Sequence, residues 1–471
     1  MADRPDHFMK HKFDPTILRS YDIRGQFGTT LNTDDAFAVG TGFGQQIKTS
    51  SSGRVAVGRD GRLSSSELSD ALIDGLTRAG CHVFDIGIGP TPMLYFADIY
   101  LNCDGAIQVT GSHNPPDYNG FKLVYDHQSY FGEDIQSLGE ACALGLSLEG
   151  GGKSEQVRIF DNYIDRLRQN IDFGDFSVVW DTGNGAAGPA VDALVTGISG
   201  THKTLFTEID GRFPNHHPNP VDPSTLKFLR EQVQAADADC GIGFDGDGDR
   251  IGVIDKTGRQ VSGDLLTAFL SLDILNRHNG ADILFDVKSS STALDIVRRE
   301  GGKPHLWRTG HSNMKKRLKE LGAPLAGEMS GHIFIADDFY GFDDALYVAC
   351  RFLSQLAHMK HKRNENLKDF LDQLPPSFTT PECHIHCSDS EKFTVVERLS
   401  QQINAVMPAK QINLIDGVRL TTASGWCLIR ASNTEPALVA RAEGENEAAL
   451  NEMIQFLRNQ LKAAGISWDG P

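Results

Sequence analysis

Val55-Ala-Val-Gly-Arg-Asp60 is a short apolar run that ends in an aspartate and leads into a turn of small residues. The same design returns twice. Val178-Val-Trp-Asp181 leads into Thr182-Gly-Asn-Gly-Ala-Ala-Gly188, and Ile283-Leu-Phe-Asp286 leads into Val287-Lys-Ser-Ser-Ser-Thr292. A stretch with helical spacing follows each turn. After the first, Ser64 and Glu67 fit a capping box, Leu68, Ala71, Leu72 and Leu76 form an apolar stripe, and Gly80 lies just past the end. Strand, turn and helix repeated at domain-sized intervals predict three α/β units of related design. No turn reads G-x-G-x-x-G with an acidic residue at the right distance, so a Rossmann nucleotide site is not expected.

Beyond about residue 372 the pattern changes. Leu374-Pro-Pro376 reads as a linker. Alternating strands follow at Cys383 to Cys387, Gly417 to Thr422, Trp426 to Arg430 and Ala437 to Glu443, then a helix from about Glu447. The expected fold class is α/β, with domains over 1–158, 159–260 and 261–372 and a smaller C-terminal α+β domain over 373–471. The length of 471 residues agrees with three or four domains at roughly 150 residues each.

Hydrophobic residues make up 40% and charged residues 23%, an ordinary globular composition. The 48 glycines point to many tight turns and close backbone approaches. The net charge of −17 argues against a nucleic-acid partner, which wants a basic face. Met1 to Phe13 lacks the apolar core of a signal peptide. The most apolar helical stretch, Asp264 to His278, is too short and too polar to span a membrane. Eight scattered cysteines form no evident disulfide framework, so a reducing cytoplasm is the expected compartment.

Four constellations carry candidate chemistry. The first is Asp245-Gly-Asp-Gly-Asp-Arg250, flanked by the apolar runs Cys240 to Phe244 and Ile251 to Ile254 and therefore expected at a hairpin tip. Three carboxylates at i, i+2 and i+4 repel one another unless a cation lies between them. The glycines let the loop curl, and hard oxygen ligands suit Mg²⁺. An EF-hand is excluded, because Arg250 and Lys256 stand where that loop wants Gly and Glu. The second is Thr110-Gly-Ser-His-Asn-Pro-Pro116, continuing Asp-Tyr-Asn-Gly-Phe-Lys122. It leaves Ser112 just past a strand end, as a nucleophile or a phosphoryl carrier; the hydrolase elbow G-x-S-x-G does not match.

The third is Gly327-Glu-Met-Ser-Gly-His332, whose carboxylate, hydroxyl and imidazole suit the vicinal hydroxyls of a sugar. The fourth is Arg430-Ala-Ser-Asn-Thr-Glu-Pro436, where Arg430 supplies a bidentate fork and Ser432, Asn433 and Thr434 supply donors around an anion. Arg308-Thr-Gly-His311 precedes a helix beginning near Ser312, so His311 is expected beside an anion-favouring helix N-terminus. Tyr21-Asp-Ile-Arg-Gly25 puts Arg24 before a glycine. Cys383-His-Ile-His-Cys387 has the composition of a zinc site, but in a strand the cysteines face one way and the histidines the other. His216-His217 is expected to be a packed or hydrogen-bonded loop, not a metal pair. If Ser112 carries a phosphoryl group beside three aspartates and Mg²⁺, the local charge is about −3. Arg24, Lys122, Arg250, Lys288 and Arg430 all lie in the motif loops and answer it.

With these motifs in order along nearly the whole chain, the sequence resembles the α-D-phosphohexomutase superfamily, and within it the bacterial phosphomannomutase/phosphoglucomutase group. No position expected to carry the chemistry departs from the pattern. The resemblance implies three α/β domains with mixed sheets and a fourth, smaller domain, with one motif from each lining a central cleft. It implies that Ser112 is the phosphoserine and a metal-site member, and that Asp245, Asp247 and Asp249 are the Mg²⁺ ligands with Arg250 beside them. Glu328 and Ser330 would read sugar hydroxyls, and Arg430, Ser432, Asn433 and Thr434 would clamp the phosphate that is not transferring. Tyr21, Arg24, Lys122, Lys288, His311 and His332 would complete the cleft. Lys122 or His332 would manage the hydroxyl proton.

The implied reaction is reversible conversion of mannose or glucose 1-phosphate to the 6-phosphate through a hexose 1,6-bisphosphate that also acts as activator. The implied partners are small hexose phosphates, with no nucleic acid and no membrane, and the protein is a monomer or homodimer. A phosphoglucosamine mutase is the alternative within the class, where the sugar loop resembles Gly-Glu-Gln-Ser; Met329 favours glucose or mannose phosphates. A Mg²⁺-dependent sugar phosphatase and a non-transferring sugar-phosphate binder are the alternatives outside it. Convergence of four domains predicts that the last one closes on ligand through Pro375-Pro376.

Overall fold

The computed structural model describes residues 8–148, 150–433, 436–468 and 470. Its first three sheets share one internal order. In the first, strand Arg54–Arg59 runs parallel to both His82–Ile88 and Gly105–Val109, and Gly105–Val109 pairs antiparallel with Tyr118–Tyr125. In the second, Phe176–Asp181 runs parallel to Gly200–Leu205 and Cys240–Phe244, which pairs antiparallel with Ile251–Asp255. In the third, Asp282–Asp286 runs parallel to Lys303–Trp307 and Leu325–Gly327, which pairs antiparallel with Ile333–Ile335. The recurring run that ends in aspartate is thus the strand between the two parallel neighbours each time. Strands Ile23–Gln26, Gln128–Tyr130 and Lys153–Gln156 widen the first sheet. Helices cover both faces of such sheets, so strands such as Gly105–Val109 and Cys240–Phe244 are buried along their whole length.

Helix Ser65–Arg78 begins where expected but not through the expected capping box. The Ser64 side chain makes no cap; its hydroxyl accepts a 2.9 Å hydrogen bond from Asn119 Nδ2, while Ser65 Oγ donates to Asp60 Oδ1 at 2.5 Å. Tertiary partners have taken the hydroxyls that a local cap would use. The apolar stripe behaves as predicted: Leu68, Leu72 and Leu76 are fully buried and pack toward helix Thr33–Ser50. Two glycines let these helices touch. A Cβ on Gly75 would lie 2.2 Å from the Phe37 carbonyl oxygen, and one on Gly40 2.3 Å from that of Leu72.

One apolar cluster runs through all three of these sheets. Phe96 meets Tyr163 at 5.7 Å between ring centroids, Trp180 stacks on Phe244 at 6.3 Å, and Phe269 meets Phe352 at 5.6 Å. The C-terminal part is an antiparallel sheet of six strands, with helices Lys392–Val406 and Glu447–Ala463 closing a separate core. In strand Cys383–His386, Ile385 faces that core with the two cysteines, whereas His384 and His386 are exposed. The four cannot gather on a metal, as the alternation requires. The C-terminal sheet is latched to the turn after Asp286: Arg419 donates to the Val287 and Ser289 carbonyls at 2.6 and 2.8 Å, Arg441 donates to the Lys288 carbonyl at 2.8 Å, and Glu443 accepts from the Ser291 amide at 3.0 Å. Trp426, wholly buried, lies under the Arg419 guanidinium at 3.8 Å. Burial pulls the Arg419 pKa down to about 10. All eight cysteines are free thiols, and no helix among the described residues is long and apolar enough to cross a membrane.

The glycine contact gives a direct test. Gly75→Ala forces a methyl group against backbone that cannot step aside, and is expected to cost about 1–3 kcal/mol. Hydrogen exchange across residues 33–78 would report it as faster local opening, and unchanged protection there would refute the close-approach argument.

Candidate active site

The loop carrying Ser112 joins strands Gly105–Val109 and Tyr118–Tyr125 of the first sheet. Ser112 is buried in the left-handed region at φ +49, where a non-glycine residue needs support from its surroundings. Support comes from Arg62 and Asp60. Arg62 donates to the carbonyls of Ser112 and Asn114 at 2.7 Å and of Tyr118 at 2.9 Å. Its Nε lies 3.2 Å from Asp60 Oδ2, which also accepts from Thr110 Oγ1 at 2.7 Å. The Ser112 amide donates to Thr110 Oγ1 at 2.9 Å. Arg24 donates to the Gly111 carbonyl at 3.1 Å and to Asn114 Oδ1 at 2.5 Å. The result is a rigid turn whose hydroxyl points inward, and Ser112 Oγ donates to Asp245 Oδ2 at 3.0 Å.

Asp245, Asp247 and Asp249 sit in the corresponding turn of the second sheet, all fully buried. Gly246 is obligatory, because a Cβ there would stand 2.4 Å from the Ser112 carbonyl oxygen. Asp245 Oδ1 accepts from the amides of Asp249 and Arg250 at 3.1 and 3.2 Å. Asp247 accepts from Thr91 Oγ1. The Lys122 ammonium bridges Asp247, at 2.6 Å, and Asp249. Burial works against every charge here. It pushes the Asp245 carboxyl well up, and the neighbouring Asp249 and Asp247 push the same way. Burial also opposes the Lys122 ammonium, but Asp247 and Asp249 outweigh it and hold its pKa above the ordinary value. One oxygen of each aspartate lies within 4.8 Å of the others, and Asp247 Oδ1 and Asp249 Oδ1 are buried without a hydrogen-bond partner. Hard, dry oxygens converging in this way fit a divalent cation such as Mg²⁺.

The third motif occupies the same turn of the third sheet. Glu328 is buried, with Oε1 accepting from the Gly310 amide, and Ser330 is half-buried at the tip. The Ile251 amide donates to the Gly331 carbonyl at 3.1 Å, tying this turn to the aspartate turn. Arg250 Nε donates to His332 Nε2 at 3.0 Å. His311, the first residue of helix His311–Leu321, stacks on His332 with ring centroids 5.3 Å apart.

The fourth motif closes the chain of contacts. Asn433 Nδ2 donates to the Tyr21 hydroxyl, and that hydroxyl donates to the Thr309 carbonyl at 2.8 Å. The Ser432 amide donates to the Ala437 carbonyl at 2.9 Å. Arg430 Nε donates to Asp416 Oδ2 at 2.9 Å, leaving Nη2 buried and unpaired. Lys288 Nζ donates to Glu382 Oε1 at 2.6 Å and lies 3.8 Å from Asp286. Thr434 lies outside the described residues. The contacts link Ser112 to Asp245, Lys122 to Asp247 and Asp249, Arg250 to His332, His332 to His311, and Tyr21 to Asn433.

Family models for all four parts of one enzyme family match in order. The phosphoglucomutase/phosphomannomutase α/β/α domains I, II and III match residues 15–141, 161–258 and 262–378, and the C-terminal domain matches residues 385–460. The chain belongs to the phosphoglucomutase/phosphomannomutase family. It is 42% identical over 457 residues to a phosphomannomutase/phosphoglucomutase of Pseudomonas aeruginosa, covering 97% of each chain. It is 38% identical over 452 residues to a phosphoglucomutase of Neisseria gonorrhoeae, covering 95% of this chain and 96% of that one. A crystal structure of a phosphoglucomutase/phosphomannomutase family protein from Burkholderia thailandensis superimposes with a TM-score of 0.90 at 40% identity, covering 98% of this chain and 100% of the other.

Within this family fold, sequence reasoning missed several residues of the site. Asp60 was visible only as a strand end, and Arg62 only as part of the turn after it. Thr91, which donates to Asp247, and Lys315 and Asp343, which pair at 2.9 Å with the Asp343 carboxylate 3.1 Å from His332, carry no local motif, because their partners are not sequence neighbours. His113, beside Ser112 with Nδ1 3.3 Å from Oγ, is held well below the ordinary histidine pKa by burial and then by Arg250 and Arg24. His216 contacts Asp181 at 3.0 Å in a hydrogen-bonded loop, as expected.

Removing the Lys122 charge strands the aspartates. Lys122→Met is expected to destabilise the cation-free protein by about 3–5 kcal/mol, the usual cost of an unpaired buried charge. Mg²⁺ should recover part of that loss. Equal melting temperatures for variant and parent in chelator would contradict the arrangement.

Proposed function

We propose that the protein is a reversible hexose phosphate mutase, moving a phosphoryl group between O1 and O6 of glucose or mannose through phosphoserine at Ser112. The observation that carries this reading is the buried Ser112 hydroxyl, 3.0 Å from Asp245 at the aspartate triad. A sugar hydroxyl oxygen attacks the phosphorus of phosphoserine 112. The bond from phosphorus to Ser112 Oγ breaks, and the product is a hexose 1,6-bisphosphate. The bisphosphate turns over in the site. Ser112 Oγ then attacks the other phosphorus, and the isomeric monophosphate leaves with its hydroxyl restored.

Asp245, Asp247 and Asp249 would hold Mg²⁺, which supplies positive charge to the transferring phosphoryl oxygens. Arg24, bonded to the serine turn, and Arg250, 3.9 Å from Asp245, add fixed cations, and such transfers depend mainly on positioning and charge neutralisation. Glu328 and Ser330 offer hydrogen bonds to sugar hydroxyls. The unpaired Nη2 of Arg430, with Ser432, Asn433 and Thr434, would clamp the distal phosphate, and Lys288 and Tyr21 stand beside that clamp. His332 is the better candidate for the hydroxyl proton. Its Nε2 accepts from Arg250 and is therefore unprotonated, so it can take a proton once that hydrogen bond opens, whereas Lys122 is committed to two carboxylates. His311 stacks against it as support. The apolar Met329 in the sugar loop favours glucose or mannose over an amino sugar.

Purified protein should yield a Ser112-containing peptide heavier by one phosphoryl group. Ser112→Ala should lower mutase turnover by roughly 10³-fold or more. A chelator should abolish turnover and Mg²⁺ restore it. Full activity in Ser112→Ala, or release of inorganic phosphate without isomer, would overturn the proposal.

A further inference from the structure

Thr91 belongs to none of the four motifs, yet it is wholly buried and gives both of its donors to one aspartate. Its amide donates to the Asp247 carbonyl at 2.8 Å, and its hydroxyl donates to Asp247 Oδ2. Thr91 opens helix Thr91–Tyr100 of the first α/β unit, whereas Asp247 lies in the aspartate turn of the second. The turn ahead of Thr91 is itself pinned. Gln108 Nε2, on the strand that leads to Ser112, donates to the Gly89 carbonyl at 3.0 Å, and the Gly89 amide donates to the Arg59 carbonyl at 3.0 Å. A Cβ on Gly248 would stand 3.0 Å from Pro90 Cβ, so the aspartate turn lies against the residue before Thr91. The hydroxyl therefore reaches Asp247 from a rigid frame.

The two carboxylate oxygens of Asp247 are treated differently. Oδ2 accepts from Thr91 and, at 2.6 Å, from the Lys122 ammonium. Oδ1 is buried and has no hydrogen-bond partner. The Lys122 ammonium is shared with Asp249 Oδ2, whereas a hydroxyl has one proton to give, and that of Thr91 goes to Asp247. Two donors converging on one oxygen fix the rotation of the carboxylate and leave the other oxygen bare. A bare buried oxygen lowers stability, and a divalent cation between the aspartates removes that penalty.

We propose that Thr91 is a positioning residue for the cation site, its hydroxyl holding Asp247 Oδ2 so that Oδ1 is left for the ion. This rests on the aspartate triad holding a divalent cation, as in the proposed function. Groups that orient a metal ligand from behind contribute about 10–100-fold to metal affinity. Cation affinity then depends on the docking of the first unit against the second, not on the aspartate turn alone.

The test is calorimetric titration of Mg²⁺ into the full-length protein without sugar phosphate. Thr91→Val keeps the shape of the side chain and removes the donor, and its Mg²⁺ dissociation constant should rise by about 10–100-fold, whereas Thr91→Ser keeps the donor and should stay within about threefold of the parent. A contact that serves stability alone would lower the melting temperature of Thr91→Val in chelator and leave the dissociation constant unchanged, and that result overturns the inference. Thr91→Ser binding as weakly as Thr91→Val, or no Mg²⁺ binding by the parent, overturns it too. If Thr91→Val does not fold, anomalous scattering from Mn²⁺ in crystals of the parent decides: the ion should contact Asp247 Oδ1 with Oδ2 still at Thr91, and coordination through Oδ2 refutes the proposal. A parent that binds Mg²⁺ as inferred but forms no isomer from hexose phosphates defeats the proposed function and leaves the role of Thr91 standing.

Discussion

Three buried carboxylates within reach of one another are the constraint around which the molecule is arranged. An anion removed from water is expensive, and a second and third beside it multiply the cost. The chain answers with Lys122 between two of the aspartates, Arg250 beside the first, and Thr91 donating to another. Such an answer is incomplete by design, since two carboxylate oxygens keep no partner. The unfinished satisfaction marks where positive charge is wanted, and phosphate chemistry is the use to which it can be put. An overall acidic chain can therefore present a site for anionic substrates.

The repeat explains why the chemistry is shared among units. In each of the first three sheets the motif occupies the turn between the second parallel neighbour and its antiparallel partner, so one piece of topology carries the serine, the carboxylates and the Glu328 loop. A continuous apolar core holds these three turns against one another, and the Ile251–Gly331 hydrogen bond and the close approach of Gly246 to the Ser112 carbonyl tie neighbouring turns directly. Rigid placement of that kind is what transfer along a line of atoms demands. The fourth unit, with its own core, reaches the site through Asn433, Tyr21 and the Arg430 loop.

What could be read from the chain was whatever is local. The carboxylates at alternate positions between apolar runs, the serine just past a strand end and the strand alternation in Cys383 to Cys387 each state their meaning within a few residues, although the small residues around Ser112 suggest exposure where the structure buries it. The predicted hairpin tip at Asp245 to Arg250 is where the strands turn, and the three-unit α/β plan with its α+β appendix stands. What escaped was relational. Arg62 matters because it donates to the carbonyls of Ser112, Asn114, Pro115 and Tyr118, in a loop some fifty residues on. Asp343 lies beside His332 because its backbone bridges to Phe334, and no spacing announces that. The box at Ser64 and Glu67 failed for the same reason, since a hydroxyl with a distant amide to bind abandons the local cap.

The latch between Arg419, Arg441, Glu443 and the turn after Asp286 has a mechanical meaning. Those side chains grip the very peptide groups that carry Lys288, so the C-terminal unit and that lysine are coupled like a key and its tumbler. Any swing wide enough to admit a sugar must pivot about this grip or drag the lysine along. Displacement of the Arg430 loop and displacement of Lys288 would then be a single motion of the molecule.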